Sequence, residues 1–222
     1  VSSLVVAIDG PSGSGKSSTS RGVASRLGMR YLDTGAMFRA ITWWMLTHDV
    51  DVTDADAVAA RAGDAIIESG TDPQAPTILV DGEDASVAIR SDAVNAAVSP
   101  VSAVPAVRTR LLELQRSIIE AGSDIVVEGR DIGSVVAPGA AVKVYLTADP
   151  AARATRRAAE AGGDVATTQE SLLARDRIDS GRATAPLTMA DGAVHIDTTP
   201  YTLDEVVGQV VALVEAVSGA EA

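Results

Sequence analysis

Gly10-Pro11-Ser12-Gly13-Ser14-Gly15-Lys16-Ser17 is a complete G-x-x-x-x-G-K-S phosphate loop, set between the apolar run Leu4 to Ile8 and an Ala/Ser/Arg-rich stretch carrying Val23 and Leu27. Strand, loop and amphipathic helix in that order form the setting this motif needs, so the segment predicts a nucleoside-triphosphate site on an α/β fold. The glycines let successive backbone N–H groups turn toward phosphate oxygens, and the helix that follows adds the positive end of its dipole. Lys16 is then expected to reach the β- and γ-phosphates, and the Ser17 hydroxyl to ligate Mg²⁺. The overlapping pattern Gly13-x-Gly15-x-x-Ser18 approaches a dinucleotide fingerprint, but it leaves the Lys-Ser pair unexplained and finds no independent ribose-binding acid.

Outward from the loop, strand-like runs at Leu4–Ile8, Arg30–Leu32, Ile125–Glu128, Val142–Leu146 and Val194–Asp197 alternate with helical stretches. The pattern predicts a doubly covered, five-stranded parallel sheet. Helices are expected at Lys16–Leu27, Ala36–Thr47, Asp54–Ile67, Val101–Ala121, Pro150–Ala161, Thr168–Asp179 and Leu203–Val217. One interval breaks the alternation: Thr77-Ile78-Leu79-Val80-Asp81-Gly82-Glu83-Asp84 carries the Asp-Gly signal of a hairpin. A single domain over 1–222 is therefore expected, with its core in 1–60, 93–160 and 183–222. A β-rich insert is expected at about 61–92, and a short lid, opened by Gly162-Gly163, at about 161–182.

Composition narrows the function. The 222 residues include no Cys and two His, which leaves little material for a disulfide framework, a zinc site or a Ser-His-Asp triad. No apolar run approaches a membrane span and no basic-then-apolar leader is visible, so a soluble, cytoplasmic monomer is expected. A formal net charge of −12 argues against nonspecific binding to nucleic acid or anionic membrane and for free nucleotides as partners.

Three further segments are read as supplying arginines to one crevice at the strand ends: Asp33-Thr34-Gly35-Ala36-Met37-Phe38-Arg39, Glu128-Gly129-Arg130-Asp131-Ile132-Gly133, and Arg175-Asp176-Arg177-Ile178-Asp179-Ser180-Gly181-Arg182. Ligands bind open parallel sheets at that edge. Arg binds phosphate through a planar fork and keeps its charge, which suits transfer of a phosphoryl group between two anionic substrates. A phosphate acceptor, mostly dianionic at neutral pH, needs no strong base; an alcohol acceptor would need a carboxylate such as Asp33. Residue chemistry thus leaves open a nucleotide kinase, a shikimate-type kinase of a small alcohol and a non-catalytic nucleotide-binding switch. Trp43-Trp44 is read as packing, and His195 as a strand residue satisfied by a neighbour.

Taken together these segments resemble the bacterial cytidylate kinase family over nearly the whole chain. Glu128-Gly129-Arg130-Asp131-Ile132-Gly133 with Val135-Val136-Ala137-Pro138, and Arg182-Ala183-Thr184-Ala185-Pro186-Leu187, carry the resemblance more specifically than the phosphate loop does. It implies a P-loop nucleoside-monophosphate kinase fold and transfer of the ATP γ-phosphoryl to CMP or dCMP. Arg39, Arg130 and Arg182 would hold the acceptor phosphate, with Thr34 in the acceptor set. Ser99, Arg108 and Asp131 would read cytosine, and Arg175 and Asp179 would contact the sugar. Residues Gly10 to Ser18, including Ser12, Ser14 and Ser18, would cradle ATP, with Arg153 or Arg157 on its phosphates and Mg²⁺ between the β- and γ-phosphates. Catalysis would rest on Lys16, Arg130, Arg175 and Arg182. Phe38 stands where the family often has Tyr, and Glu128 where it often has Asp.

Overall fold

A computed structural model of the chain describes residues 3–161, 163–181 and 186–219. In chain order the elements are β1 (Val5–Asp9), α1 (Lys16–Leu27), β2 (Arg30–Asp33), α2 (Thr34–Thr47), α3 (Ala55–Ala60), β3 (Ile67–Ser69), β4 (Ile78–Val80), β5 (Glu83–Asp84), α4 (Asp92–Ala103), α5 (Pro105–Glu120), β6 (Ile125–Gly129), β7 (Val142–Thr147), α6 (Pro150–Ala161), α7 (Val165–Ser180), β8 (Val194–Asp197) and α8 (Leu203–Ser218). A 3₁₀ turn covers Ala88–Arg90, and a π turn covers Ile132–Val136. The chain divides into two compact units, residues 1–31 with 123–222, and residues 32–122.

The first unit is built on the five-stranded sheet, ordered β2-β6-β1-β7-β8, with β1 parallel to both β6 and β7 and β7 parallel to β8. β1 and β6 are nearly continuous apolar runs because helices cover both faces of a central parallel strand, and β6 is buried at every residue. β7 alternates instead, with Val142, Val144 and Leu146 turned inward. The core joins these strands to Val23 and Ala24 of α1 and to Val206, Val207, Val210, Val211 and Val214 of α8, a stripe at helical spacing. A capping box between Thr202 and Glu205 starts α8. The expected strands and fold class are those observed.

In the second unit, β3, β4 and β5 form an antiparallel sheet. Asp81 and Gly82 connect β4 to β5 with φ of 52° and 83°, the two positive values of a type I′ turn. The Asp81 carboxylate accepts from Trp44 Nε1 at 2.6 Å and from the Ile66 N–H at 2.9 Å, tying the hairpin to α2. Trp44 also stacks on His48, with centroids 4.0 Å apart, so its role is packing.

Two helix expectations change. The stretch Asp54–Ile67 is helical only over Ala55–Ala60, because Ile67 is drawn into a strand opposite Val80. The stretch Val101–Ala121 is two helices. Pro105 opens α5 at its first turn, and Val104 before it takes the extended conformation that a following proline favours, φ −70° and ψ 123°. α4 starts earlier, at the Ser91 cap, and runs through Pro100. Asp33 caps α2 by accepting from the Ala36 N–H at 2.9 Å. Among the described residues no helix is long and apolar enough to cross a membrane.

Candidate active site

The phosphate loop follows β1. Gly10 has φ +149°, and a Cβ there would lie 2.1 Å from the Leu146 carbonyl oxygen, so only glycine fits between β1 and β7. The loop ends at Gly15, in the left-handed region, and α1 then begins with no side-chain cap and no acidic residue in its first turn. A helix start of this kind is a place where anions bind. The Pro11 carbonyl oxygen accepts from Ser14 Oγ at 2.9 Å and from Lys16 Nζ at 2.7 Å, so the lysine lies back along its own loop.

Ser17 Oγ donates to Glu128 Oε2 at 3.1 Å, and the Tyr31 hydroxyl donates to Glu128 Oε1. A hydroxyl beside a buried carboxylate is the hard-oxygen environment that suits Mg²⁺. Among the described residues no group of three or more His, Cys, Asp or Glu side chains could hold a metal ion. The donor set therefore fits an ion carried mainly by substrate phosphates, as Mg²⁺ commonly is.

Arginines gather beside the loop in the same unit. Arg153 on α6 donates to the Ser12 carbonyl oxygen at 3.0 Å and to Asp176 at 2.5 Å. Arg130, at the end of β6, pairs with Asp179 at 3.0 Å and lies 3.7 Å from Asp176. Burial, with Arg130 next to it, brings the Arg175 guanidinium down from 12.5 to about 10, still charged at neutral pH. Arg130 Nη1, Arg153 Nε and Arg175 Nε are buried without a hydrogen-bond partner among the described residues. Buried guanidinium N–H groups that lack an acceptor mark a place where an anion binds.

Arg156 is a residue to which the sequence reading assigns no role. One turn from Arg153, it donates to Thr198 Oγ1 at 2.9 Å and to the Thr198 carbonyl oxygen at 3.0 Å, and Thr198 Oγ1 donates on to the Ser14 carbonyl oxygen at 3.2 Å. Helical spacing from Arg153 was the available signal for Arg156; nothing in the local sequence marks Thr198. Arg157 is half-buried and its charge acts on Arg175. Ser18 is exposed on α1. Arg182 lies outside the described residues.

Asp131, next to Arg130 in the first unit, is buried, and the second unit holds Thr34, Arg39, Ser99 and Arg108. Arg39 donates to the Ile89 carbonyl oxygen at 3.0 Å and to Asn95 Oδ1 at 2.8 Å. Arg108 is buried, donates to the Ser102 carbonyl oxygen at 3.2 Å and lies 5.3 Å from the centroid of the Phe38 ring. Phe38 thus supplies an apolar face to that guanidinium. Ser99 and Thr34 are both buried, and Asp33 is engaged as the cap of α2.

A profile of cytidylate kinases matches residues 6–216. The chain belongs to the cytidylate kinase family. It is 59% identical over 216 residues to a cytidylate kinase of Streptomyces griseus, covering 96% of this chain and 94% of that one. It is 50% identical over 223 residues to a cytidylate kinase of Rhodococcus opacus, covering 98% and 97%. Among solved structures, a gluconokinase of Sinorhizobium meliloti superposes with a TM-score of 0.51 at 15% identity, covering 99% of this chain and 96% of that one. An uncharacterized protein of Eubacterium ventriosum superposes with a TM-score of 0.52 at 10% identity, covering 96% and 98%. Those two likenesses concern the fold. For a member of the cytidylate kinase family, the uncapped start of α1 and the arginines beside it are where nucleotide phosphates are to be sought.

Proposed function

We infer that the chain transfers the γ-phosphoryl group of ATP to CMP or dCMP, giving ADP and CDP or dCDP. The observation that carries this reading is the cluster of Arg130, Arg153 and Arg175, each with one buried guanidinium nitrogen that has no hydrogen-bond partner among the described residues, beside a phosphate loop in a chain of this family. Donor and acceptor are both anions, and bringing them together requires their repulsion to be cancelled while the reacting atoms are aligned.

In the proposed arrangement residues 10–18 and Arg153 hold ATP. Lys16 neutralises charge on the transferring group, and Arg156 holds the loop through Thr198. Ser17 would hold Mg²⁺, which would supply further neutralisation of phosphate charge. Arg39, Arg130 and Arg182 hold the acceptor phosphate, with Thr34 alongside. Ser99, Arg108 and Asp131 read the base, and Arg175 and Asp179 the sugar. Cytosine offers an amino donor at N4 beside acceptors at N3 and O2, so a carboxylate with a guanidinium and a hydroxyl complements it. The acceptor dianion needs no general base, which leaves Asp33 to its capping role. Residues 161–182 act as a lid that excludes water and so suppresses ATP hydrolysis.

The test is coupled measurement of ADP release with CMP, dCMP, UMP, AMP and shikimate as acceptors. The reading expects rapid turnover with CMP and dCMP and slow turnover with the others. Equal or greater kcat/KM with UMP, AMP or shikimate, or ATP consumption indifferent to the acceptor, overturns it.

A further inference from the structure

Asp9, the last residue of β1, is buried and lies in register with Gly129 of β6 and Tyr145 of β7. Both of its carboxylate oxygens are used. Oδ1 accepts from the Ile132 N–H and Oδ2 from the Gly133 N–H, each at 2.8 Å. These two groups open the π turn, where the first donors of a helical segment find no partner within it. The residue in the capping place is Asp131, a type that ordinarily fills this role. Its backbone, at φ −146° and ψ 26°, gives no side-chain cap. The cap comes instead from a residue 123 positions earlier in the chain. The turn is also enclosed from behind: a Cβ on Gly133 would stand 3.1 Å from Ala190 Cβ, 3.3 Å from Lys143 Cδ and 3.4 Å from Asp9 Oδ2.

We propose that Asp9 is a positioning residue for the acceptor nucleotide: by capping the π turn in place of Asp131 it fixes the backbone after β6, keeping the Asp131 carboxylate for the base and Arg130 for the phosphate. The proposal rests on the assignment of Arg130 and Asp131 to the acceptor. Only the ionised carboxylate accepts at both oxygens without offering a donor. Burial makes ionisation harder at this position, so the carboxylate is kept at some expense to folding. Lys16 and Asp131 are the charges that act on it. Asn at this position has one carbonyl oxygen, and its amide would set a donor against the second N–H.

The experiment compares Asp9→Asn with Arg130→Ala and Asp131→Asn, each checked by circular dichroism and thermal melting. KM for CMP, KM for ATP and the CMP-to-UMP ratio of kcat/KM are measured for all. For Asp9→Asn the expected result is a KM for CMP raised on the order of tenfold, as for loss of orientation at a reacting group, with a narrowed CMP-to-UMP ratio and KM for ATP changed less than about twofold. Gly133→Ala reaches the same contact from the turn and shifts the same quantities in the same direction; it carries the comparison if Asp9→Asn does not fold. If Arg130→Ala and Asp131→Asn impair CMP use while Asp9→Asn leaves KM for CMP and the ratio unchanged, or lowers use of both substrates alike, the role of Asp9 is overturned and the acceptor assignment stands. If Arg130→Ala and Asp131→Asn spare CMP and impair ATP, the acceptor assignment fails, and the role of Asp9 with it.

Discussion

Arg153 Nη1 stands 2.5 Å from Asp176 Oδ2 and 3.0 Å from the Ser12 carbonyl oxygen, so one nitrogen joins α7 to the phosphate loop. Asp176 also lies 3.7 Å from Arg130, which makes it a shared counter-charge for two of the arginines assigned to phosphates. A carboxylate in that place stands where a phosphate oxygen could substitute for it.

Asp176→Asn should therefore lower stability in the absence of nucleotide by about 1–3 kcal/mol, the range for leaving a buried polar partner unsatisfied. Saturating ADP should restore part of the loss, because its phosphates supply the missing negative charge. Thermal melts with and without ADP measure both. A deficit that is the same under the two conditions would show that Asp176 does not occupy an anion's place.

Lys16 donates to Pro11 across its own loop, so Lys16→Ala should fold normally. It should lose roughly 3 kcal/mol of transition-state stabilisation, about a hundredfold in kcat, as when a preorganised charged donor is removed from a reaction centre. Near-normal kcat in the folded variant would place the donor site elsewhere.

Asp131→Asn tests how the base is read. Uracil carries a carbonyl oxygen where cytosine has its N4 amino group, so an ionised carboxylate repels uracil, whereas an amide can turn and donate to it. The CMP-to-UMP ratio of kcat/KM should narrow by roughly 1–3 kcal/mol, the range for a specific side-chain–base contact. Damage common to both acceptors cancels in that ratio. An unchanged ratio means that cytosine is read by other residues.

Asp9 gives a pH signature. Burial is the largest influence on its carboxyl and raises it from 3.8 to about 6; the Gly133 and Ile132 N–H groups and Lys16 oppose the rise, and Asp131 adds to it. The folded protein holds this proton more tightly than the unfolded chain. The resulting stabilisation is complete below about pH 4 and is lost as pH rises through about 6, by up to about 3 kcal/mol. Relative to wild type, Asp9→Asn should accordingly gain stability on going from acid to neutral pH. Urea unfolding of both proteins at a series of pH values measures the difference, and parallel curves would contradict the shift.

The parallel sheet was legible because β1 and β6 open with runs of apolar residues, as strands covered on both faces do, and because the phosphate loop orients the strand before it and the helix after it. Helix limits were less legible where periodicity carried the argument alone. Ile66 and Ile67 continue the helical pattern from Val58, yet Ile67 gains more by pairing with Val80 in the small sheet. Pro105 held the signal for the break between α4 and α5, since it needs an extended residue before it. Asp9 and Thr198 were hidden for a different reason. The partners of Asp9 lie more than a hundred positions away, and Thr198 links Arg156, 42 positions before it, to Ser14, 184 positions before it, so no local motif carries their roles.

Chromatographic separation of ATP, ADP, CMP and CDP through one time course tests phosphoryl transfer to CMP most directly. The account predicts that ADP and CDP form in equal amounts, that dCMP in place of CMP gives dCDP on the same footing, and that omitting the acceptor leaves ATP intact. ADP accumulating without CDP would identify a nucleotide hydrolase or switch and contradict transfer of the γ-phosphoryl group to CMP.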